Sequence, residues 1–427
     1  MSTPMTLAGH VARFDASGQL LPWTSWAAAL DREMNFYQQC PLTQGYPRFA
    51  CETFLDAAWT PNTERTDIIP ATQNGMGILS YLKFYGMRGE QQPAMLATAR
   101  LMGDYLLKET LTPDAGKYPS FTRSTGKRGQ FPQPADCGSQ SDQPYEIEPD
   151  KGGIAGHALV LLFEATSDSK YLLQALKNAR VLAANQQAGD AAHSPWPFRV
   201  DYRSGEGRGP VSGNMTYILR LFDLLTEHGY TEFSKPRQSL WQWIKDYQVP
   251  SAAAEGSLFA QFFEDHDTPT NRTAWAPLNL ARYLLEKKDS VDPDWLTDCS
   301  SLIEFVRANF THRECGVNVC HEQDEDKQAW GGVNSTYGAV LALYAKAARS
   351  PILASEARQA LNFTLYSIDE QGRPRDVSLS NQPGGWQEDA HTDVIHNYVD
   401  ALSAFPHWGS AEAATQDFPE PGSDGSF

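Results

Sequence analysis

The strongest constraint on this chain is a repeat. Four stretches share one grammar: a polar or glycine-rich approach, a helix that is apolar on nearly every side, a short turn, and an amphipathic helix. They are EPDKGGIAGHALVLLFEATSDSKYLLQALKNARVL (148–182), VSGNMTYILRLFDLLTEHGYTEFSKPRQSLWQWIKDY (211–247), NRTAWAPLNLARYLLEKKDSVDPDWLTDCSSLIEFVRANF (271–310) and WGGVNSTYGAVLALYAKAARSPILASEARQALNFTLYSI (330–368). Aligning their mid-helix aromatics, Phe163, Phe222, Tyr283 and Tyr344, gives spacings of 59, 61 and 61 residues. A recurrence at a fixed period of this length marks a repeat architecture. In the first copy, Ile154 to Thr166 reads as an inner helix enclosed by other helices. Leu172, Leu176, Ala179 and Ala183 mark one face of an outer helix, and TSDSK between them supplies the turn and the N-cap.

Two further copies extend the series. ATQNGMGILSYLKFYGMRGEQQPAMLATARLMGDYLL (71–107) places Phe84 79 residues before Phe163, the excess falling in the Pro, Gly and Ser-rich segment 112–149. WQEDAHTDVIHNYVDALSAF (386–405) places Tyr398 54 residues after Tyr344, with no outer helix behind it. The amphipathic SWAAALDREMNFYQQ (25–39) supplies that missing half. The expected fold is therefore all-α: an (α/α)6 toroid of six inner and six outer helices, with long loops on one face. Residues 1–406 form this single domain, and 407–427 form a flexible acidic tail.

Inner helices in such a ring run parallel, so their leading ends share one mouth, where partial positive charge and free N–H groups suit hydroxyl-rich or anionic ligands. The candidate residues gather at those ends. Asp67 and Asn74 come from the first copy, Asp150 and His157 from the second, and Arg208 and Asn214 from the third. Asn271 and Arg272 come from the fourth, Asp326, Trp330 and Asn334 from the fifth, and Trp386, Glu388, His391 and His396 from the sixth. An Asp or Asn before a helix also serves as an N-cap, and His157, deep in an apolar helix, also reads as a hydrogen-bonded core residue. The connector GDAAHSPWPFRVDYRSGEGRG adds His193, Trp196, Arg199, Tyr202 and Arg208 as a basic, aromatic rim suited to a carboxylated sugar.

Composition narrows the function classes. A net charge of -17 without a compensating basic run opposes binding to nucleic acid or to an anionic membrane. The six Cys are too sparse for a disulfide framework and imply free thiols. The C-x4-C-H run at Cys315, Cys320 and His321 is not a standard zinc spacing, so no metal is expected. The chain carries no phosphate loop, dinucleotide fingerprint or nucleophile elbow, so no cofactor is expected either. The opening MSTPMTLAGHVARFD lacks a basic and then apolar leader, which makes a cytoplasmic protein the expectation.

These features resemble the six-hairpin glycosidase superfamily and, more loosely, its unsaturated uronyl hydrolases. PDKGGIAGHALVLLFEATSDSKYL presents Asp150 just before a glycine-rich inner helix, and His193 and Trp196 follow the next outer helix. The resemblance implies an acid–base Asp at position 150; Lys151 departs from the family, which usually has Gly there. It implies a glycoside hydrolase acting on oligosaccharides that contain uronic acid, with Asp150, His193, Asp67, Asp326 and Glu388 as the catalytic candidates. Substrate contacts would come from Asn74, Trp196, Arg199, Tyr202, Arg208, Asn214, Arg272, Trp330, Asn334, Trp386 and His391. Two alternatives stay open. One is a polysaccharide lyase with a Tyr or His base, and the other a sugar epimerase in which His391 and His396 exchange protons.

Overall fold

Inner and outer helices form where the two hydrophobic patterns place them. The computed structural model describes residues 5–51, 55, 58–60, 69–88, 93–124, 145–254, 257–260, 270–374 and 391–410. Among these residues, twelve α-helices reach ten residues or more. The outer helices are α1 (Trp26–Gln38), α3 (Pro93–Glu109), α5 (Ser169–Asn185), α7 (Ser234–Trp243), α9 (Trp295–Phe310) and α11 (Pro351–Leu365). The inner helices are α2 (Pro70–Arg88), α4 (Pro149–Thr166), α6 (Thr216–Glu227), α8 (Trp275–Lys287), α10 (Gly331–Ala348) and α12 (His391–Ala404). The fold is the expected (α/α)6 toroid.

Local chemistry sets the helix ends. Ser167 closes α4 in the left-handed region at φ 56°, and the next residue, Asp168, caps α5 by accepting from the Lys170 N–H at 3.2 Å. Ser350 does the same for α11, accepting from Leu353 N at 3.4 Å before Pro351. The start of α4 differs from the expectation. It begins at Pro149 rather than Ile154, so Asp150 and Lys151 lie inside its first turn.

Each inner helix packs on the next, in the order α2, α4, α6, α8, α10, α12, and α12 returns to α2. Pairings that advance together along both helices make them parallel. Gly153 and Gly156 of α4 face Ile218 and Leu221 of α6, while Ser80 and Lys83 of α2 meet His396 and Asp400 of α12. The connectors from inner to outer helices are short, as at 167–168 and 349–350. Those from outer to inner, such as 186–215 and 311–330, are long and lie on the face where the inner helices begin. Helix α1 completes the sixth hairpin. Its Trp26 sits edge-on to Tyr398 of α12 at 5.0 Å and donates to Asn362 Oδ1 of α11 at 2.9 Å. Trp408 is buried and lies edge-on to Trp26 at 5.6 Å, so the packed body reaches past residue 406. Among the described residues, no helix is long and apolar enough to cross a membrane.

Candidate active site at the toroid axis

Two polar groups flank the mouth on opposite sides of the ring. At the start of α4, the strands Glu146–Ile147, Arg199–Asp201 and Gly207–Arg208 form an antiparallel ribbon that carries the 186–215 connector back to the helix. It brings Arg199 Nη2 to 3.4 Å from Glu148 Oε1, and Lys151 Nζ lies 3.0 Å from Glu148 Oε2 and 3.3 Å from Asp150 Oδ2. All four side chains are at most 1 % exposed. The charges that precede the apolar part of α4 are thus a buried ionic cluster, and such clusters hold only when all their members are present. Across the ring, the hairpin Thr311–Glu314 and Val317–Cys320 leads into α10. There Arg272 makes a two-pronged pair with Asp324, Nε to Oδ2 at 2.8 Å and Nη2 to Oδ1 at 3.0 Å. Asp326 accepts from the Trp330 indole at 2.7 Å.

Several expected substrate contacts take other roles. Trp196 is fully buried and donates to the Leu182 carbonyl at 3.1 Å, so it fills the core instead of offering a face to a sugar. Arg199 is equally buried, its guanidinium 4.3 Å from the Phe198 ring centroid. Asn334 is consumed by structure, donating to Ala360 O and Thr364 Oγ1 and accepting from Cys320 N. His193 lies on an exposed loop, its Nδ1 2.9 Å from Asp190 Oδ1, and the Asp190 carbonyl accepts from Trp243 of the outer helix α7. Its loop is thus anchored to the outer layer. Arg208 pairs with Glu146, Nη2 to Oε2 at 2.6 Å, and Tyr202 lies edge-on to Tyr145. Asp67, Trp386 and Glu388, and the side chain of His391, lie outside the described residues.

Asn214 and Asn74 stay open to a ligand. Asn214 is fully buried just before α6, and neither side-chain atom has a hydrogen-bond partner. Asn74 donates to Ala50 O and Pro70 O, each at 3.0 Å, but its Oδ1 accepts nothing. Buried polar atoms are nearly always paired, so such exceptions point to a missing partner such as a ligand or water.

Halfway down the barrel the axis becomes polar. Arg282 of α8 donates to His396 Nδ1 at 3.1 Å and to Asn397 Oδ1, and Asn397 donates in turn to Ser335 Oγ and Thr336 Oγ1 of α10, each at 2.9 Å. Arginine has only donors, so Nδ1 of His396 must accept, and the neutral ring carries its proton on Nε2. That Nε2 is buried and has no partner. Burial, followed by the charges of Arg282, Lys83 and Arg220, holds the His396 pKa well below the usual imidazole value.

Beside this network lies a cavity of about 410 Å³. Its wall includes Lys83, His157, Tyr217, Arg220, Arg282, Glu286 and Asp400, drawn from five inner helices. His157 sits edge-on to Tyr217 at 5.6 Å, and burial, then Arg220, Lys83 and Lys287, keep its pKa well below the usual value. An apolar cluster of Met76, Leu79, Ile154 and Tyr217, from the neighbouring helices α2, α4 and α6, adjoins the cavity.

No family profile and no curated protein matches the chain. Solved structures do. Cellobiose 2-epimerase from Spirochaeta thermophila DSM 6192 shares 14% identity at a TM-score of 0.63, over 88% of this chain and 95% of that one. A D-mannose isomerase shares 11% at 0.65, over 88% and 96%. A family 76 glycoside hydrolase from a bovine Bacteroides thetaiotaomicron strain shares 14% at 0.59, over 89% and 78%. This chain has the six-hairpin toroid fold.

Within the toroid, sequence reading reached His396 but missed Arg282, Asn397, Asp400 and Lys83. A signal was present. Lys83, Arg282 and Asn397 each immediately precede the repeat's marker aromatic, and Arg220 and His396 lie two before it. One polar residue in an apolar helix looks incidental until the six helices are superposed.

Proposed function

We propose that this protein is a carbohydrate-active enzyme working at the axis of its toroid, by proton transfer on a small sugar in the manner of an isomerase or epimerase. The observation that carries this reading is His396, whose tautomer is set by Arg282 and whose Nε2–H has no protein partner. A neutral imidazole beside a cation is a proton donor suited to a sugar carbonyl oxygen. His157, neutral and on the cavity wall, is the matching base. It takes the proton from the carbon beside the carbonyl, the C–H electron pair becomes the C=C bond of an enediol, and the carbonyl oxygen takes the His396 proton. The change is completed when His157 returns a proton, its own or one exchanged with water, to carbon, while an enediol hydroxyl gives its proton back to His396. The O–H electron pair re-forms C=O and the C=C pair becomes the new C–H bond. The cavity, about 410 Å³, lies at the small end of the roughly 300–1,000 Å³ range of ligand sites, which favours a mono- or disaccharide over a polymer. The toroids named as a cellobiose 2-epimerase and a D-mannose isomerase, matched along nearly their full lengths, agree with this reading. Incubating the protein with a panel of aldoses, ketoses, disaccharides and uronates, and separating the products, tests it. Interconversion of sugars without new reducing ends is the expected result; new reducing ends alone would favour hydrolysis.

Hydrolysis of oligosaccharides containing uronic acid, with Asp150 as acid–base, is the second reading. It is favoured by the place of Asp150 in the first turn of an inner helix and by the toroid of a family 76 glycoside hydrolase. The proton-transfer reading stands ahead of it because Asp150 is 1 % exposed and lies 3.3 Å from Lys151. Elimination by a lyase has less support, since His193 stands by the outer layer.

A further inference from the structure

Every other cation on the cavity wall has a carboxylate of its own. Lys83 meets Asp400 at 2.6 Å, Arg220 meets Glu286 at 2.5 Å, and Lys287 meets Glu227 at 2.8 Å. Arg282 is the exception. Its nearest carboxylate oxygen is Asp400 Oδ2 at 3.6 Å, on a group already paired with Lys83, and its two hydrogen-bond acceptors, His396 Nδ1 and Asn397 Oδ1, are neutral. It is also the deepest of the four, with 4 % of its side chain exposed, and its Nε–H is buried without a partner. His157 and His396, held neutral, add no further positive charge. Among the described residues, Arg282 is therefore the wall cation held least closely by a carboxylate.

A buried cation whose nearest carboxylate is shared and lies at 3.6 Å is costly, and a ligand that brings a carboxylate into hydrogen-bond contact relieves that cost. We propose that the axial cavity takes an acidic monosaccharide and that Arg282 receives its carboxylate. This inference rests on the reading of the axis as a sugar site and adds the class of sugar. A guanidinium suits a carboxylate because its planar fork matches two oxygens. Glu286 and Lys287, with 36 % and 27 % of their side chains exposed, place the cavity's opening beside the last turn of α8.

Calorimetric titration of the full chain tests the inference, comparing glucuronate with glucose, galacturonate with galactose, and both acids with glucose 6-phosphate. The acids are expected to bind roughly tenfold or more tightly than their neutral counterparts, an advantage that shrinks with added salt. Arg282→Gln should abolish the preference and Arg282→Lys should keep part of it; the salt dependence of the unaltered protein gives the same answer should a variant fail to fold. Equal affinity for acid and neutral sugar overturns the inference, as does tighter binding of the phosphate or no sugar binding at all. Neutral sugars that bind equally well and are interconverted would overturn it while sparing the proton-transfer reading. Uronate binding that depends on Arg282, without turnover, would uphold the site and sink that reading.

Discussion

Arg282 and His396, on inner helices that are not neighbours in the ring, meet across the axis through a 3.1 Å hydrogen bond that leaves the histidine's other nitrogen unpaired. Nothing in the packing of six hairpins requires such a contact. A buried polar network costs stability unless every member is satisfied, and this one is incomplete at His396 Nε2, Arg282 Nε and Asp400 Oδ2. Unsatisfied polar atoms gathered in a toroid's centre call for a partner, a ligand or ordered water.

Replacing His396 by Asn keeps a polar side chain of smaller volume but removes the proposed donor. Turnover should fall by about 10²–10⁴, the usual contribution of a positioned acid or base, while the circular dichroism spectrum and melting temperature change little. His157→Asn should lower turnover over the same range.

The ionic cluster at the start of α4 makes a stability prediction. Lys151→Met leaves Glu148 and Asp150 buried without that cation, and breaking a buried pair costs about 3–5 kcal/mol. Urea denaturation should show the midpoint falling with little change in slope. A conservative Lys151→Arg should lose less.

Close packing against a helix glycine gives a second stability prediction. A methyl group at Gly152 would come within 2.0 Å of Phe121 Cζ, and that ring is fully buried. Gly152→Ala should therefore cost about 1–3 kcal/mol or more. Adding Phe121→Leu should recover part of the loss, a coupling that a double-mutant cycle measures directly.

Acid should weaken the fold through its buried histidines. His157 and His396 are held well below the usual imidazole value and His321 at about 4, with burial the largest cause in each. The unfolded chain takes up these protons near pH 6.5, but the folded chain does so only at lower pH. Between those values the unfolded state binds more protons, so stability falls as pH drops from about 6.5 and is independent of these groups above it. Melting temperatures measured across this window should decline, and His321→Gln should flatten part of the decline.

The twelve-helix plan was legible because a helix enclosed on all sides must be apolar all round, whereas one exposed to solvent need not be. Ile154–Thr166 and Ser169–Asn185 show that contrast side by side. The start of α4 was not legible, because the charges of Asp150 and Lys151 look like solvent until they are seen paired with each other and, through Glu148, with Arg199. Trp196 misled for a related reason. An aromatic in a loop reads as surface, but the strand Arg199–Asp201 draws its connector inward. Most of the axial site escaped notice because its members stand one to three to a helix, from Ser80 to Asp400, and only the closure of the ring brings them together.

The most direct test of the account is hydrogen exchange during turnover in heavy water, read by nuclear magnetic resonance on the sugar. Proton transfer through His157 and His396 predicts deuterium at the carbon beside the carbonyl, in product and in recovered substrate, and its loss in His396→Asn. Sugar turned over by the unaltered protein without deuterium entering any carbon position would contradict it.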